Sequence, residues 1–238
     1  CRLKQNITMK KILSIAAISL CFFSACKLSS ETVPPPALAR FVHACPDAGN
    51  IDVLLNGGLL AENFAFTKDT AVAVYPGITN FMVLKTGSGS SLINTNFTLN
   101  AQKAYTIFAI DSSKNIKTSI TTDVFTLPPS DSVMVRFFHF SPNTPAIHAI
   151  FNYLGADSIK FYNRSFNDQQ TNTTPQAFAK FKAGTYDIDI LLADTNEPIR
   201  TISLVQLTGG NVYTFYLKGN DGGVAEQALG IGTVWHNR

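Results

Sequence analysis

Two histidines are the first residues whose setting suggests chemistry. His43 and His139 each lie three residues after an arginine (Arg40, Arg136) and three before a proline (Pro46, Pro142). An imidazole can move protons when a carboxylate lies within hydrogen-bond reach. Asp47 and Asp52 could serve His43, but Asn143 and His148 stand at the corresponding positions after His139. No catalytic residue is assigned on that pattern. The stronger reading is structural: a half-buried ring at a strand end satisfies backbone groups of the turn that follows. Arg40 and Arg136 alternate onto the opposite strand face, where each is expected to order a loop or pair with an acid. Cys45, two residues from His43, could be a nucleophile and is expected instead to be a small buried residue.

Other chemistries find no pattern. His43, His139, His148 and His236 show no close ligand spacing, so no metal is expected. Asp187 and Asp189 share one strand face, which reads as solvated, and Asp221-Gly222-Gly223 lacks the rest of a calcium loop. No nucleophile elbow, phosphate loop or dinucleotide fingerprint occurs, and no cofactor is expected. The most suggestive cluster is Tyr153, Phe161, Tyr162 and Phe166, followed by the amide- and hydroxyl-rich run 167–174. Flat apolar rings beside directional hydrogen-bonding groups suit a sugar or polar peptide, so these four form a candidate ligand platform. The alternative is that they pin a long loop to the domain. Thr70, Ser132 and Ser158 each follow Asp and precede an aliphatic residue, a pattern that resembles a bacterial O-glycosylation acceptor.

The elements that must position these groups come in two copies. Arg40–Asp47 matches Arg136–Asn143 at an offset of 96, which holds to Asn56 and Asn152. Gly77 matches Gly184, and Tyr105–Phe108 matches Tyr213–Tyr216, at offsets of 107 and 108. The second copy thus carries about eleven extra residues between Asn152 and Gly184. Short runs rich in Val, Ile, Phe, Tyr and Thr, broken by turn residues, predict strands. In the first copy these are 39–44, 51–55, 71–75, 80–86, 92–99, 104–111 and 118–125. In the second they are 133–140, 146–151, 178–182, 186–192, 201–207 and 211–218, with a last strand over 229–235. About seven strands per hundred residues predicts an all-β fold of two tandem antiparallel β-sandwiches, Ig-like or transthyretin-like. The expected boundaries are repeat 1 over 40–127, a Pro-containing linker over 128–132, and repeat 2 over 133–238 with an inserted loop at 153–177.

The start of the chain reads as an export leader. Residues 1–8 are expected to be an upstream extension. Lys10 and Lys11 precede an apolar run, Ile12 to Phe23, of about a dozen residues, too short to span a bilayer core of roughly 20. Phe23-Ser24-Ala25-Cys26 resembles a bacterial lipobox, which implies a signal peptide over 9–25, cleavage between Ala25 and Cys26, and lipidation of Cys26. Acyl chains would then hold the protein on a membrane, with 26–39 as a tether. Lys27, rather than Asp, after the cysteine favours the outer membrane, facing periplasm or cell surface. Four of the 19 basic residues and none of the 16 acidic ones precede Cys26. The remainder carries 15 basic against 16 acidic residues, so no nucleic-acid footprint is expected. Of four cysteines only Cys45 lies beyond Cys26, which rules out an intrachain disulfide in the cleaved chain.

The Arg-x-x-His-x-x-Pro opening, with Asp47 and Asp52 and the Lys103-Ala104-Tyr105-Thr106 strand, resembles the bacterial secreted domain of unknown function 4397. The second copy keeps Arg136, His139, Ser141, Pro142, Tyr213 and Thr214. The resemblance implies a secreted β-sandwich in tandem copies and brings no catalytic residues. The expected function is a lipid-anchored envelope protein presenting two non-catalytic modules for binding or adhesion, to a glycan, peptide or envelope protein. The alternative is a structural or assembly subunit of a periplasmic or outer-membrane complex. An enzyme built from dispersed polar residues is the third reading.

Overall fold

A computed structural model describes residues 33–153 and 158–237. The expected leader, the Ala25–Cys26 junction and most of the tether lie outside the described residues. Pro34–Arg238 form one compact unit. The fold is all-β, in two sandwich units of eight strands each. The first holds β1 (Ala37–His43), β2 (Ile51–Leu55), β3 (Gly58–Phe64), β4 (Asp69–Val74), β5 (Gly77–Lys85), β6 (Ser91–Leu99), β7 (Ala104–Ile110) and β8 (Lys117–Thr122). The second holds β9 (Ser132–His139), β10 (Ile147–Tyr153), β11 (Ser158–Arg164), β12 (Ala179–Lys182), β13 (Gly184–Leu192), β14 (Pro198–Leu207), β15 (Val212–Lys218) and β16 (Gly230–Trp235).

The topology repeats. Sheet order is β4-β1-β7-β8 over β3-β2-β5-β6 in the first unit, and β12-β9-β15-β16 over β11-β10-β13-β14 in the second. Each unit contains one parallel pair, β1 with β7 and β9 with β15; every other ladder is antiparallel, as expected. Two strands were hidden from the sequence reading. β3 follows a two-residue hairpin at Asn56 (φ 48°) and Gly57 (φ 79°), where positive φ is required. β11 occupies part of the stretch expected as an inserted loop. The insertion is split: the offset rises from 96 to 100 at Asn63 and Asn163, and to 107 at Gly77 and Gly184. The second part, 165–178, carries two 3-10 turns, Asp168–Gln170 and Thr174–Gln176.

Each sandwich has its own core, centred on Phe41, Phe81 and Ile107 in the first and on Phe137, Phe151 and Phe215 in the second. A third apolar cluster joins them. β1, β7, β9 and β15 are buried along nearly their whole length, because their second faces meet. Val42, Ala44, Phe108 and Ile110 pack against Phe138, Phe140, Tyr216 and Val234. Phe108 stands 4.8 Å from Phe140 and 6.0 Å, edge-on, from Phe138, ring centroid to centroid. At about 1.5–3 kcal/mol per large buried side chain, opening this seam costs on the order of 10 kcal/mol. The sandwiches therefore move as one body.

The seam is close to two-fold. Strand registers make Asp123 the counterpart of His236, since each follows the residue paired with Tyr105 or Tyr213. Thr106 Oγ1 donates to Asp123 Oδ2 at 2.7 Å, and the corresponding Thr214 Oγ1 lies 2.7 Å from His236 Nε2. Asp123 and His236 then face each other at 3.6 Å. Equivalent positions meeting across a contact mark an isologous interface, here built within one chain.

Candidate functional site

The repeated polar residues hold turns. The His43 ring donates from Nε2 to the Gly49 carbonyl at 2.8 Å, and its Nδ1 accepts from the Cys45 amide at 3.4 Å. The His139 ring does the same with Pro145 O at 3.0 Å and the Ser141 amide at 3.3 Å. Both rings are wholly buried rather than half-buried. Burial outweighs the carbonyl contacts and lowers both pKa values, so the rings are neutral with one donor and one acceptor. Asp47 accepts from the Ser113 amide at 2.7 Å, whereas Asn143 exchanges two bonds with the Asp221 backbone. Asp52 accepts from the Asn63 amide at 2.8 Å, and His148 accepts from the corresponding Asn163 amide at 3.1 Å. Carboxylate and its replacement thus perform the same task in each copy, which is why the acid need not repeat.

The two arginines differ. Arg40 pairs with Asp69 inside its own sandwich. Arg136, wholly buried, reaches across the seam to Asp123 Oδ1 at 2.5 Å and Thr121 Oγ1 at 3.3 Å. It also donates to Thr214 Oγ1 at 2.8 Å and Gln176 O at 3.4 Å, and its guanidinium lies 4.3 Å from the Phe178 centroid. Such complete pairing is what a buried charge requires.

The four platform aromatics point to different places. Phe161 stacks on Phe137 at 5.9 Å and Phe181 at 6.0 Å, within the core of the second sandwich. Phe166 packs against the seam, with Lys117 Nζ 5.0 Å from its centroid. Tyr153 leans on Tyr186 at 5.2 Å and against Gly184, where an added Cβ would come within 2.6 Å of its ring. Tyr162 alone of the four is exposed, at 56%. The amides of the insertion divide likewise. Gln169 donates to Ser119 Oγ at 2.8 Å and Gln170 to Ile120 O at 2.9 Å, both on β8 of the first sandwich.

The remaining groups make a groove. Lys160, Tyr162 and Asn163 on β11 face Asn172, Thr174 and Pro175 across about 430 Å³. Arg164 closes one end through a two-pronged bond to Asp168, at 2.8 and 2.6 Å. Tyr162 is braced edge-on by His148 at 5.0 Å, with Lys160 Nζ 6.0 Å from its centroid. The site offers a ring on a strand, an amide and a hydroxyl opposite it, and one exposed cation. Lys160 and Asn163 were not singled out from sequence; their alternation beside Ile159 and Phe161 was the available signal.

A second cleft, about 560 Å³, lies between the two sandwiches, with Pro46, Asn50 and Phe66 facing Val224, Glu226 and Gln227. Lys218 Nζ stands 5.1 Å from the Phe66 centroid and donates to Glu226 O at 3.0 Å. Cys45 is a buried free thiol beside Asp47. Of the acceptor-like hydroxyls, Ser158 is exposed, Thr70 half-buried on β4, and Ser132 buried against Pro129 O. Among the described residues no cluster of three or more His, Cys, Asp or Glu could hold a metal, and no helix is long and apolar enough to cross a membrane.

Residues 37–150, from β1 into β10, match the family model described as a domain of unknown function (DUF4397). It is a single match covering slightly less than half of the chain. No curated protein matches the sequence. One similar solved structure is a family 26 carbohydrate-binding module from Eubacterium rectale in complex with maltoheptaose. It is 8% identical, covers 84% of this chain and 97% of that chain, and has a TM-score of 0.25. A candidate adhesin from Bacteroides ovatus is 10% identical over 86% of this chain and 95% of its own, with a TM-score of 0.20. A candidate cell adhesion protein from Bacteroides fragilis is 12% identical over 81% and 84%, with a TM-score of 0.21. Superpositions this loose assign no ligand to this chain.

Proposed function

We propose that this chain is a lipid-anchored cell-envelope protein whose fused sandwiches form a non-catalytic binding body, with the β11 groove as its ligand site. The tandem copies are read as two domains of the 4397 type. The observation that carries the binding role is Tyr162: a large ring, 56% exposed, on a strand rather than a loop, facing Asn172 and Thr174. Exposed aromatic faces flanked by directional donors suit the apolar face and hydroxyls of a sugar ring. Support for a non-catalytic role is that His43 and His139 are engaged in turns, Asp47 and Asp52 accept from backbone amides, Arg40 pairs with Asp69 and Arg136 is engaged across the seam.

Glycan-array screening of residues 34–238 is the test. A neutral oligosaccharide hit should weaken about tenfold or more in Tyr162→Ala with unfolding unchanged. Equal binding by Tyr162→Ala and by Asn172→Ala would remove the groove from consideration. The anchor is tested separately: labelled palmitate should be incorporated by cells expressing the full chain and lost in Cys26→Ser. Protease shaving of intact cells then separates a surface from a periplasmic location. If the chain is O-glycosylated, Ser158 is the accessible acceptor, and its loss should remove the added mass.

A further inference from the structure

The four sheets end in eight edges, and an open edge is a template for another strand unless it is blunted. Most are blunted here. β12 carries Lys180 and Lys182, and β8 begins with Lys117 and is covered by Gln169 and Gln170. β3 has Glu62, two register shifts and Asn63 at φ 50°. β11 has Lys160, Arg164 and a register shift. β4 opens on the Asp69 that pairs with Arg40, and β16 is six residues with two glycines. β14, the counterpart of β6, has Pro198, Arg200, two register shifts and Leu204 at φ 60°.

β6 differs. Its nine residues, Ser-Leu-Ile-Asn-Thr-Asn-Phe-Thr-Leu, contain no charge, proline or glycine, and its ladder to β5 is regular from Gly77–Leu99 to Val83–Ile93, its single register shift lying at the N-terminal end by Leu92. We propose that β6 is a self-association edge: two copies of this chain join β6 to β6 antiparallel, about a two-fold axis at Thr95. Inner and outer faces must stay matched across the new ladder, because a one-residue slip reverses every side chain. An axis at Thr95 satisfies this over Ile93–Phe97, the stretch between the register shift at Leu92 and its symmetry-related copy. It sets Ile93 opposite Phe97 on the core side, an aliphatic–aromatic pair, and covers the flank where Phe97 is half-buried. On the outer side it sets Asn94 opposite Asn96. Asn80 Nδ2 already donates to both side-chain oxygens at 2.9 Å, so the amide cluster continues into the second copy. No like charges meet. With β14 blunted, β6 is the one such edge among the described strands, so pairing closes at a dimer instead of extending to a fibre.

The test uses residues 34–238, the compact unit, whose only cysteine is the buried Cys45. Light scattering should show a dimer that dissociates in Asn94→Lys/Asn96→Lys. Both positions are exposed, and the lysines would face each other across the axis, weakening association by about tenfold or more. Thr95→Cys should form an intermolecular disulfide on mild oxidation, because the two positions coincide at the axis; Leu204→Cys, exposed on β14, should not. A monomer at every accessible concentration overturns the proposal. So does a dimer that survives the lysine pair with the same affinity, or one that cross-links equally through Leu204→Cys.

Discussion

Arg136 illustrates how one residue type does two jobs in two copies. Enclosed by Asp123, Thr121, Thr214 and Phe178, it leaves the buried Asp123 carboxylate without its guanidinium partner if removed. Arg136→Ala is expected to cost roughly 3–5 kcal/mol, read from urea unfolding. Replacing both members, Arg136→Met with Asp123→Leu, should recover most of that loss, since the pair's own desolvation offsets its attraction. A small effect of the single change would show that the seam is wetter than described. Cys45 gives a second expectation. Burial, with Asp47 nearby, pushes its thiol up to about 12. Alkylation at about pH 8 should therefore label the unfolded chain and spare the native one; rapid native labelling would mean the β1 turn opens.

Among the elements, the 165–178 segment connects sequence to assembly. Its glutamines reach β8 of the other sandwich, so Gln169→Ala should cost about 1–2 kcal/mol as a lost buried hydrogen bond, and Gln170→Ala, whose bond is exposed, about 0.5 kcal/mol. Unchanged stability in both would mean that apolar packing alone holds the segment. The strand pattern was legible where alternation was clean: β5 and β13 bury every second residue. β3 escaped because Gly-Leu-Leu-Ala-Glu-Asn-Phe lacks β-branched residues and its register shifts break the period. β11 escaped because the changing repeat offset concealed its kinship with β3. The seam left a trace that periodicity alone does not use. Tyr-Thr-Ile-Phe-Ala-Ile and Val-Tyr-Thr-Phe-Tyr-Leu are continuous apolar runs, which fit strands covered on both faces. The groove was half legible: Tyr162 and the amide run could be named, but whether an aromatic looks outward depends on which strand it joins, as Phe161 and Phe166 show.

For the whole molecule the seam predicts one cooperative unfolding transition for both sandwiches, coincident by circular dichroism and by a probe in either core. Two separated transitions would contradict it. The seam should also be acid-sensitive. Burial lowers His236 to about 4 despite Asp123 nearby. An unfolded histidine takes its proton near pH 6.5, so stability is full above that value and falls as the pH approaches 4. The loss is about 3 kcal/mol, and His43 and His139 shift in the same direction. His236→Gln should flatten the profile; an unaltered slope would place its origin elsewhere. The position of β1 has a mechanical consequence. The described chain enters the body directly through this strand, which lies between β4 and β7 with six registered pairs on each side. If the N-terminus is attached as proposed, pulling the body away from it would drag β1 along its own axis, loading both ladders in shear. Their bonds would have to yield together rather than unzip one at a time, so a load between the proposed anchor and the proposed groove would meet the strand geometry best able to resist force.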